Sequence, residues 1–341
     1  MLLRYLNDFF HHLVQIGQIS GQNSQQEMEY TILGRTGLRV SVMGLGCGGI
    51  SHLGQLTGKS EAESISLVRR ALDLGINFAD TAETYGTEEI LGKALKGRKR
   101  QELVLSTKAP MYLNNKLITA KDLVQCAENS LRKLNTDYLD IYHFHAVEEK
   151  EYQYVAEELV PAQLRLRDEG KIRFLGITEK FRADPRHRML HRAVQDDCWD
   201  VICVGFNLLN QTARTEILSS AIQKNIGVLG MYSVRRALSS HQNLKTALST
   251  LANMGVIERS MTEDANPLGF LFHEKGAVSL TDAAYRYCRH EPGIHVVLFS
   301  TGNVEHLQAN VSSLLRPPLP YKDLRRLQTM FKQVDNFSGH W

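Results

Sequence analysis

The feature that most constrains this chain is an alternation of short apolar strands with amphipathic helices, which repeats eight times after Met28. The first strand is Val42–Gly46, and Ser60 with Glu63 three residues later predicts a capped helix after it. The later strands are apolar and rich in β-branched residues, as expected where both faces of a sheet are buried. They are predicted at Ile76–Ala79, Leu103–Ser106, Tyr138–Phe144, Ile172–Ile177, Val201–Val204, Gly227–Leu229 and His295–Leu298.

Helical patterns fill the intervals that follow these strands. Thr119 with Asp122 marks one helix start, and Asp184-Pro185 marks another, with proline as the first helical residue. The helices are predicted at about 87–97, 119–134, 150–169, 184–195, 212–223, 280–290 and 303–314.

Eight strand–helix units predict an α/β chain that forms a single (β/α)8 TIM barrel. A doubly wound open sheet is the alternative, but Gly46-Cys47-Gly48-Gly49 after the first strand lacks the GxGxxG spacing typical of that fold. Before the barrel, Tyr30–Ile32 and Arg39–Ser41 around a glycine turn predict an N-terminal β-hairpin.

The patterned segment sets the domain boundaries. Residues 28–341 are predicted to form the barrel with a C-terminal tail, and residues 1–27 a loosely attached, poorly ordered extension joined through the polar stretch 20–27. The stretch 235–278 is long for one connection, which predicts an extra helix at Asn243–Met254 and a loop on the C-terminal face.

Composition excludes several classes of protein. The net charge of +3 argues against a nucleic-acid binder, and no run approaches the roughly 18 apolar residues of a membrane helix. The five cysteines are scattered, and the N-terminus lacks a secretory pattern, so a reduced, cytoplasmic protein is expected. The expected partner is a small molecule rather than nucleic acid or membrane, and the expected state is a monomer or weak homo-oligomer.

Ionisable residues follow three neighbouring strands, where active sites of such barrels lie. They are Asp80 and Tyr85, Lys108, and His145. A carbonyl that receives hydride needs a proton, but a phenol with a pKa near 10 is a poor donor. A neighbouring ammonium would lower that pKa, a carboxylate would hold the ammonium, and a histidine would orient the carbonyl oxygen.

These residues lie in three motifs that resemble the aldo-keto reductase family. The motifs are Gly75–Gly86 (GINFADTAETYG), Thr107-Lys108 and Asp137–His145 (DYLDIYHFH), and the resemblance runs from about Met28 to Asn310. It implies hydride transfer between a nicotinamide cofactor and the carbonyl of an aldehyde, ketone or sugar-type substrate. The tetrad matches Asp80, Tyr85, Lys108 and His145, with the tyrosine as general acid.

The resemblance also implies a cofactor pocket. Thr178-Glu179 stand where the family carries a Ser-Asn pair for the nicotinamide carboxamide, and Cys203 replaces a glutamine, so carboxamide recognition is altered. Tyr232 matches the aromatic residue that stacks on the nicotinamide. The pocket also includes Gly46, Cys47, Gly48 and Asp80, and the loop residues Ser233, Val234 and Arg235 expected around the pyrophosphate.

The last strand leads into a turn before a helix, which is a common anion site. Ser300 and His306 occupy the places of the two cations that hold the adenosine 2′-phosphate in many family members. Thr301 lies beside Ser300, and Asn310 matches the residue that contacts adenine. The implied cofactor is NADP(H) on family grounds, with NAD(H) close behind.

Several alternatives remain open at this point. The chain could be a redox-sensing regulatory subunit that turns over slowly, or a Schiff-base lyase that uses Lys108. His143 and His145 share a strand face and could bind metal, although His143 is expected to be a buried, hydrogen-bonded residue below the site. An apolar substrate wall is expected from Met111, Tyr112, Phe337 and Trp341.

Overall fold

The structure, a computed structural model, describes residues 27–340. Its strands are β1 (Tyr30–Ile32), β2 (Arg39–Ser41), β3 (Met43–Gly46), β4 (Phe78–Asp80), β5 (Val104–Pro110), β6 (Tyr112–Leu113), β7 (Lys116–Leu117), β8 (Leu139–Val147), β9 (Ile172–Glu179), β10 (Val201–Gly205), β11 (Gly227–Met231) and β12 (Val296–Phe299). Eight of them close into a parallel barrel in the order β3-β4-β5-β8-β9-β10-β11-β12, so the barrel prediction is confirmed. The N-terminal extension expected for residues 1–27 lies outside the described residues, except Glu27.

Helices surround the barrel. They are α1 (Glu61–Asp73), α2 (Glu88–Leu95), α3 (Ala120–Leu134), α4 (Val160–Asp168), α5 (Arg188–Ala193), α6 (Ile217–Gln223), α7 (His241–Asn253), α8 (Ser260–Glu263), α9 (Leu280–Arg289), α10 (Val304–Leu315) and α11 (Tyr321–Met330). The capping boxes expected at Ser60 and Thr119 are both formed, which fixes where α1 and α3 begin. The extra helix expected in the long connection is α7. Within residues 27–340, no helix has the length and apolar character needed to cross a membrane.

The N-terminal hairpin of β1 and β2 is confirmed, and it covers the amino end of the barrel. Leu33, Leu38 and Val40 from the hairpin are buried against Phe78 and Val104, which point into the barrel from β4 and β5. This end is therefore filled by apolar side chains, which leaves the carboxyl ends of the strands for polar groups.

Strand periodicity determines which side chains reach the interior. Residues two apart share a face, so Phe78 and Asp80 point inward from β4. Ser106 and Lys108 do the same from β5, and Lys108 lies in register with His143 on β8. The same alternation that points apolar side chains into the core therefore also points the polar side chains at the strand ends, such as Asp80 and Lys108, into the barrel.

Three predicted helices are shorter or less regular in the structure than the sequence pattern indicates. The helix predicted at 184–195 is confined to α5, so placing Pro185 at its first position was wrong. The reason is His187, whose backbone is left-handed (φ 59°) and interrupts a helical path. The helix predicted at 150–169 contains a π-helical turn at Val155–Leu159, and the helix predicted at 212–223 becomes regular only at Ile217.

A second hairpin, β6–β7, follows β5 and was not predicted. Asn114 and Asn115 form its turn with φ of 50° and 62°, a left-handed pair that asparagine tolerates. The Asn-Asn pair in the sequence was the available signal for this turn.

Candidate active site

Asp80 and Lys108 form a buried ion pair at the carboxyl end of the barrel. Lys108 Nζ lies 2.7 Å from both carboxylate oxygens of Asp80 and donates to the carbonyl of Thr81, also at 2.7 Å. Ser106 donates a further hydrogen bond of 2.8 Å to Asp80 Oδ1. The side chains of Lys108 and Asp80 are 4 and 6% exposed, so the buried ion pair holds the Lys108 ammonium in one orientation.

Tyr85 is brought over this pair by the turn after β4. The turn Glu83–Tyr85 ends at Gly86, whose φ of 68° suits a residue without a side chain. The Tyr85 ring centroid lies 5.5 Å from Lys108 Nζ. A Cβ at Gly48 would lie 2.5 Å from the Tyr85 ring, so this glycine makes room for the phenol.

His145 lies beside the phenol at an irregular point of β8. The pairing of β8 with β9 shifts register between Phe144 and Val147, and Ala146 has a φ of 57°. The hydroxyl of Thr178 accepts a hydrogen bond of 2.7 Å from Ala146 N, which holds this bulge. His145 Nε2 then lies 3.3 Å from the Tyr85 hydroxyl. The four residues expected from the sequence therefore lie together.

Burial and charge set the protonation of these groups. Burial lowers the pKa of Lys108, but Asp80 and Tyr85 outweigh it, so the ammonium pKa lies above its usual value. Burial and the charge of Lys108 lower the pKa of His145 to about 3, so this imidazole is neutral at neutral pH. Burial raises the pKa of Tyr85, and Lys108 lowers it by less. The expected net lowering of the tyrosine pKa is therefore absent, because burial outweighs the attraction of an ammonium that Asp80 already neutralises.

The residues expected to bind the nicotinamide carboxamide lie in different surroundings. Thr178 points inward and holds the bulge beside His145. Glu179, one residue on, points the other way: it pairs with His187 at 2.9 Å and accepts from the backbone N of Gly205 at 2.7 Å. Cys203 is buried in the barrel interior, in register with Thr178.

Tyr232 and Arg235 form a cation–π contact at the end of β11. The Arg235 guanidinium lies 4.2 Å from the Tyr232 ring centroid, and both residues have positive φ. Arg235 Nε is buried and has no hydrogen-bond partner within residues 27–340. Ser233 between them is buried and Val234 is half-buried.

The first and last barrel strands, β3 and β12, pair with each other and close the barrel. The Ser300 hydroxyl donates a 2.6 Å hydrogen bond to the carbonyl of Gly48, and Cys47 N donates to Asp80 O at 2.7 Å, which aligns the end of β3. Thr301 is buried and caps the turn into α10, where Asn303 accepts from His306 N. The side chain of His306 is exposed, whereas Asn310 is buried.

Several residues near the tetrad were missed by sequence reasoning. Ser106 follows from the inward periodicity of β5, but His52 and Thr84 lie in irregular segments without such a signal. His52 Nδ1 lies 3.0 Å from the carbonyl oxygen of Tyr85, and Thr84 Oγ1 lies 3.3 Å from His145 Nδ1. Phe181 and His187 were also missed, because only tertiary contacts place them beside Tyr232 and Glu179.

The expected substrate wall is only partly apolar. Met111 and Phe337 are buried, whereas Tyr112 is 45% exposed and its hydroxyl donates to Glu151. Trp341 lies outside the described residues. His143 is fully buried, as expected, but the expected hydrogen bonding is not found: within residues 27–340 neither ring nitrogen has a partner at hydrogen-bonding distance and angle. The ring packs where a Cβ on Gly176 would lie 2.2 Å from it. Within residues 27–340, no three His, Cys, Asp or Glu side chains come together as a metal site.

Known proteins are similar to this chain in sequence or in fold. L-galactose dehydrogenase of Arabidopsis thaliana is 38% identical over 158 residues, which span 45% of this chain and about half (49%) of the plant enzyme. An uncharacterized oxidoreductase of Bacillus subtilis is 26% identical over 322 residues, 90% of this chain and 98% of that protein. In three dimensions the chain is similar to the aldo-keto reductase AKR11C1 from Bacillus halodurans in its holo form, with a TM-score of 0.70, 23% identity, and coverage of 89 and 96%.

The sequence of residues 43–331, most of the chain, matches the aldo/keto reductase family as a whole. The closed barrel, the relatives named as oxidoreductases and this family match agree with one another. The chain belongs to the aldo/keto reductase family and is an oxidoreductase.

Proposed function

We propose that the protein transfers a hydride between NAD(P)H and the carbonyl of an aldehyde, ketone or sugar-type substrate, with Tyr85 as general acid. The observation that carries this proposal is the position of the Tyr85 hydroxyl, 3.3 Å from a neutral His145 and above the Asp80–Lys108 pair. A carbonyl oxygen placed between the phenol and the imidazole would meet two hydrogen-bond donors.

Each residue has one part in the proposed reaction. When bound, the nicotinamide cofactor supplies or accepts the hydride. Tyr85 gives its proton to the oxygen as negative charge develops there, and Lys108 stabilises the phenolate that remains. Asp80 keeps the ammonium charged and fixed. Neutral His145 donates from Nε2 to orient the oxygen, while its Nδ1 accepts from the hydroxyl of Thr84.

The groups at the mouth fit a dinucleotide. Tyr232 offers an aromatic ring for the nicotinamide, and the unpartnered Nε of Arg235 suits a phosphate oxygen. The first turn of α10, which follows Thr301, supplies amide donors for a second phosphate. NADP(H) remains the first choice on family grounds, with NAD(H) as the alternative, because Ser300 and His306 replace two cations.

A polyhydroxylated substrate is the class that we favour. His52 donates from Nδ1 to a carbonyl, since a carbonyl oxygen can only accept, which leaves its Nε2 as an acceptor for a substrate hydroxyl. Thr84 is exposed on the same side of the site. The similarity to L-galactose dehydrogenase, although limited to about half of each chain, agrees with a sugar-type substrate.

The Schiff-base alternative is disfavoured by the surroundings of Lys108. A lysine that attacks a carbonyl must be neutral, whereas Asp80 holds this one charged. Borohydride trapping tests this directly: a covalent adduct on Lys108 would contradict the proposal.

The main experiment measures carbonyl-dependent oxidation of NADPH and of NADH by the purified protein across aldehydes, ketones and aldoses. We expect turnover with at least one cofactor. Tight cofactor binding without turnover of any carbonyl would favour the regulatory-subunit alternative instead.

A further inference from the structure

A buried acid–base pair lies at the end of β9, outside the tetrad. The carboxylate oxygens of Glu179 lie 2.9 and 3.0 Å from Nδ1 of His187, and the two side chains are 0 and 1% exposed. Glu179 also accepts from the backbone N of Gly205, the last residue of β10. His187 adopts its left-handed backbone to reach this position, and such conformations persist only where their surroundings hold them.

Every polar side-chain atom of the pair is hydrogen-bonded. His187 Nε2 lies 2.9 Å from the hydroxyl of Thr212. That hydroxyl donates its single proton to Asn210 Oδ1 at 2.5 Å or to the carbonyl of Pro185 at 3.2 Å. Nε2 must therefore donate to the hydroxyl, and Nδ1 forms its hydrogen bond with the carboxyl group of Glu179. A buried acid–base pair bonded in this way is a rigid unit, because removing either partner leaves polar atoms of the other unpaired.

One route leads from this pair to Tyr232 through Phe181. The Phe181 ring stacks on His187 with centroids 5.3 Å apart and planes at 12°, and it meets Tyr232 edge-on, also at 5.3 Å. Gly205 makes room for it, since a Cβ there would lie 2.2 Å from the Phe181 ring. The Tyr232 ring thus contacts the ring that stacks on His187.

A second route leads to Tyr232 through the C-terminal tail. Asn210, which Thr212 joins to His187, donates from Nδ2 to the carbonyl of Phe337 at 3.1 Å. Further along, the carbonyl of Gly339 accepts from Ala237 N at 2.9 Å. These bonds bring the ring of His340 to within 6.4 Å of Tyr232, again edge-on.

We propose that Glu179 and His187 are positioning residues for the nicotinamide cofactor: their hydrogen-bonded pair fixes the Tyr232 ring through Phe181 and through the tail, so that the ring is in place before the cofactor binds. The pair acts without touching the cofactor. This inference rests on the proposed function. A ring held before binding loses less conformational freedom when the cofactor arrives, which strengthens binding.

The test compares Glu179→Gln and His187→Gln with Asp282→Asn. Asp282 forms another buried pair with Arg286, with side chains 0 and 3% exposed, and its other partners, Arg316 and the backbone N of Val278, are not among the proposed cofactor-binding residues. We expect the Kd for NADPH, measured by fluorescence titration, to rise about tenfold in both test variants and to stay within about twofold in the control. The kcat at saturating cofactor should change by less than the Kd, because the tetrad is intact.

The two test variants separate this inference from its rivals. If Glu179 touched the carboxamide itself, His187→Gln would leave the Kd unchanged, and the inference would be wrong. Equal losses of thermal stability in all three variants with unchanged Kd would also overturn it. If Glu179→Gln does not fold, His187→Gln and Phe181→Leu, which breaks only the first route, give the answer. Wild-type protein that binds neither NADPH nor NADH would refute the proposed function as well.

Discussion

The two halves of the barrel mouth are built differently. The first half, at the ends of β4, β5 and β8, has short direct contacts among residues from adjacent strands, such as Asp80 with Lys108. The second half, at the ends of β9 to β12, relies on loops and the C-terminal tail, as in the path from Glu179 to Tyr232. The residue types that the resemblance implies are present at all four tetrad positions of the first half, whereas several positions of the second half depart from them, namely Glu179, Cys203, Ser300 and His306. The proposed catalytic residues are thus held by direct contacts between adjacent strands. The proposed cofactor-binding residues depend instead on contacts between loops and the tail.

The strongest test of this comparison is Tyr85→Phe. If the first half carries only the chemistry, losing the phenol proton should reduce kcat by about 10²–10⁴-fold, while the Kd for NADPH or NADH stays nearly constant. Stopped-flow turnover and a binding titration on the same preparation measure both quantities. A variant with full activity would mean that another group donates the proton.

Lys108→Met tests how strongly the first half is tied together. Asp80 would remain as a buried carboxylate without its cation, so we expect a loss of about 3–5 kcal/mol in the free energy of unfolding. The matched control is Lys59→Met, since Lys59 and Glu63 form an exposed pair whose loss should change the free energy of unfolding far less. Urea denaturation measures both. Equal effects would show that the buried pair does not rigidify the site.

Thr178→Val tests a side-chain contact that joins the two halves. The hydroxyl of Thr178, on β9, accepts from Ala146 N next to His145, and its loss leaves that N–H unpaired at a cost of about 1–3 kcal/mol. We expect kcat to fall while the Kd for the cofactor stays close to the wild-type value, and Thr178→Ser should restore kcat. If the cofactor Kd rises instead, Thr178 belongs to the binding half.

The pH profile of carbonyl reduction should show the smallest change. Reduction requires protonated Tyr85, whose pKa is raised by burial, so the rate is lost only as pH rises through that high value. His145, with its pKa lowered to about 3 by burial and Lys108, takes up a proton only in strong acid. The kcat/KM for reduction should thus be flat from about pH 5 to about pH 9. A steep fall near neutral pH would point to a group in the second half as the controlling one.

Much of the first half could be predicted from the chain alone. Strand periodicity predicts that Asp80 and Lys108 point inward, and the barrel rule brings their strand ends together. The hairpin β1–β2 and the capping boxes were equally local signals. Local patterns succeed here because each of them depends on residues a few positions apart.

The second half needed the tertiary structure. Glu179 was expected to face the cofactor, but its proposed role follows from His187, eight residues away, and from the contacts of the tail beyond residue 330. The sign of the Tyr85 pKa shift depended in the same way on how deeply the phenol is buried. By itself, the sequence determined the barrel and the group of four residues at its mouth. The tertiary structure decided their protonation and the support of Tyr232, because burial and long-range hydrogen bonds arise only when distant segments meet.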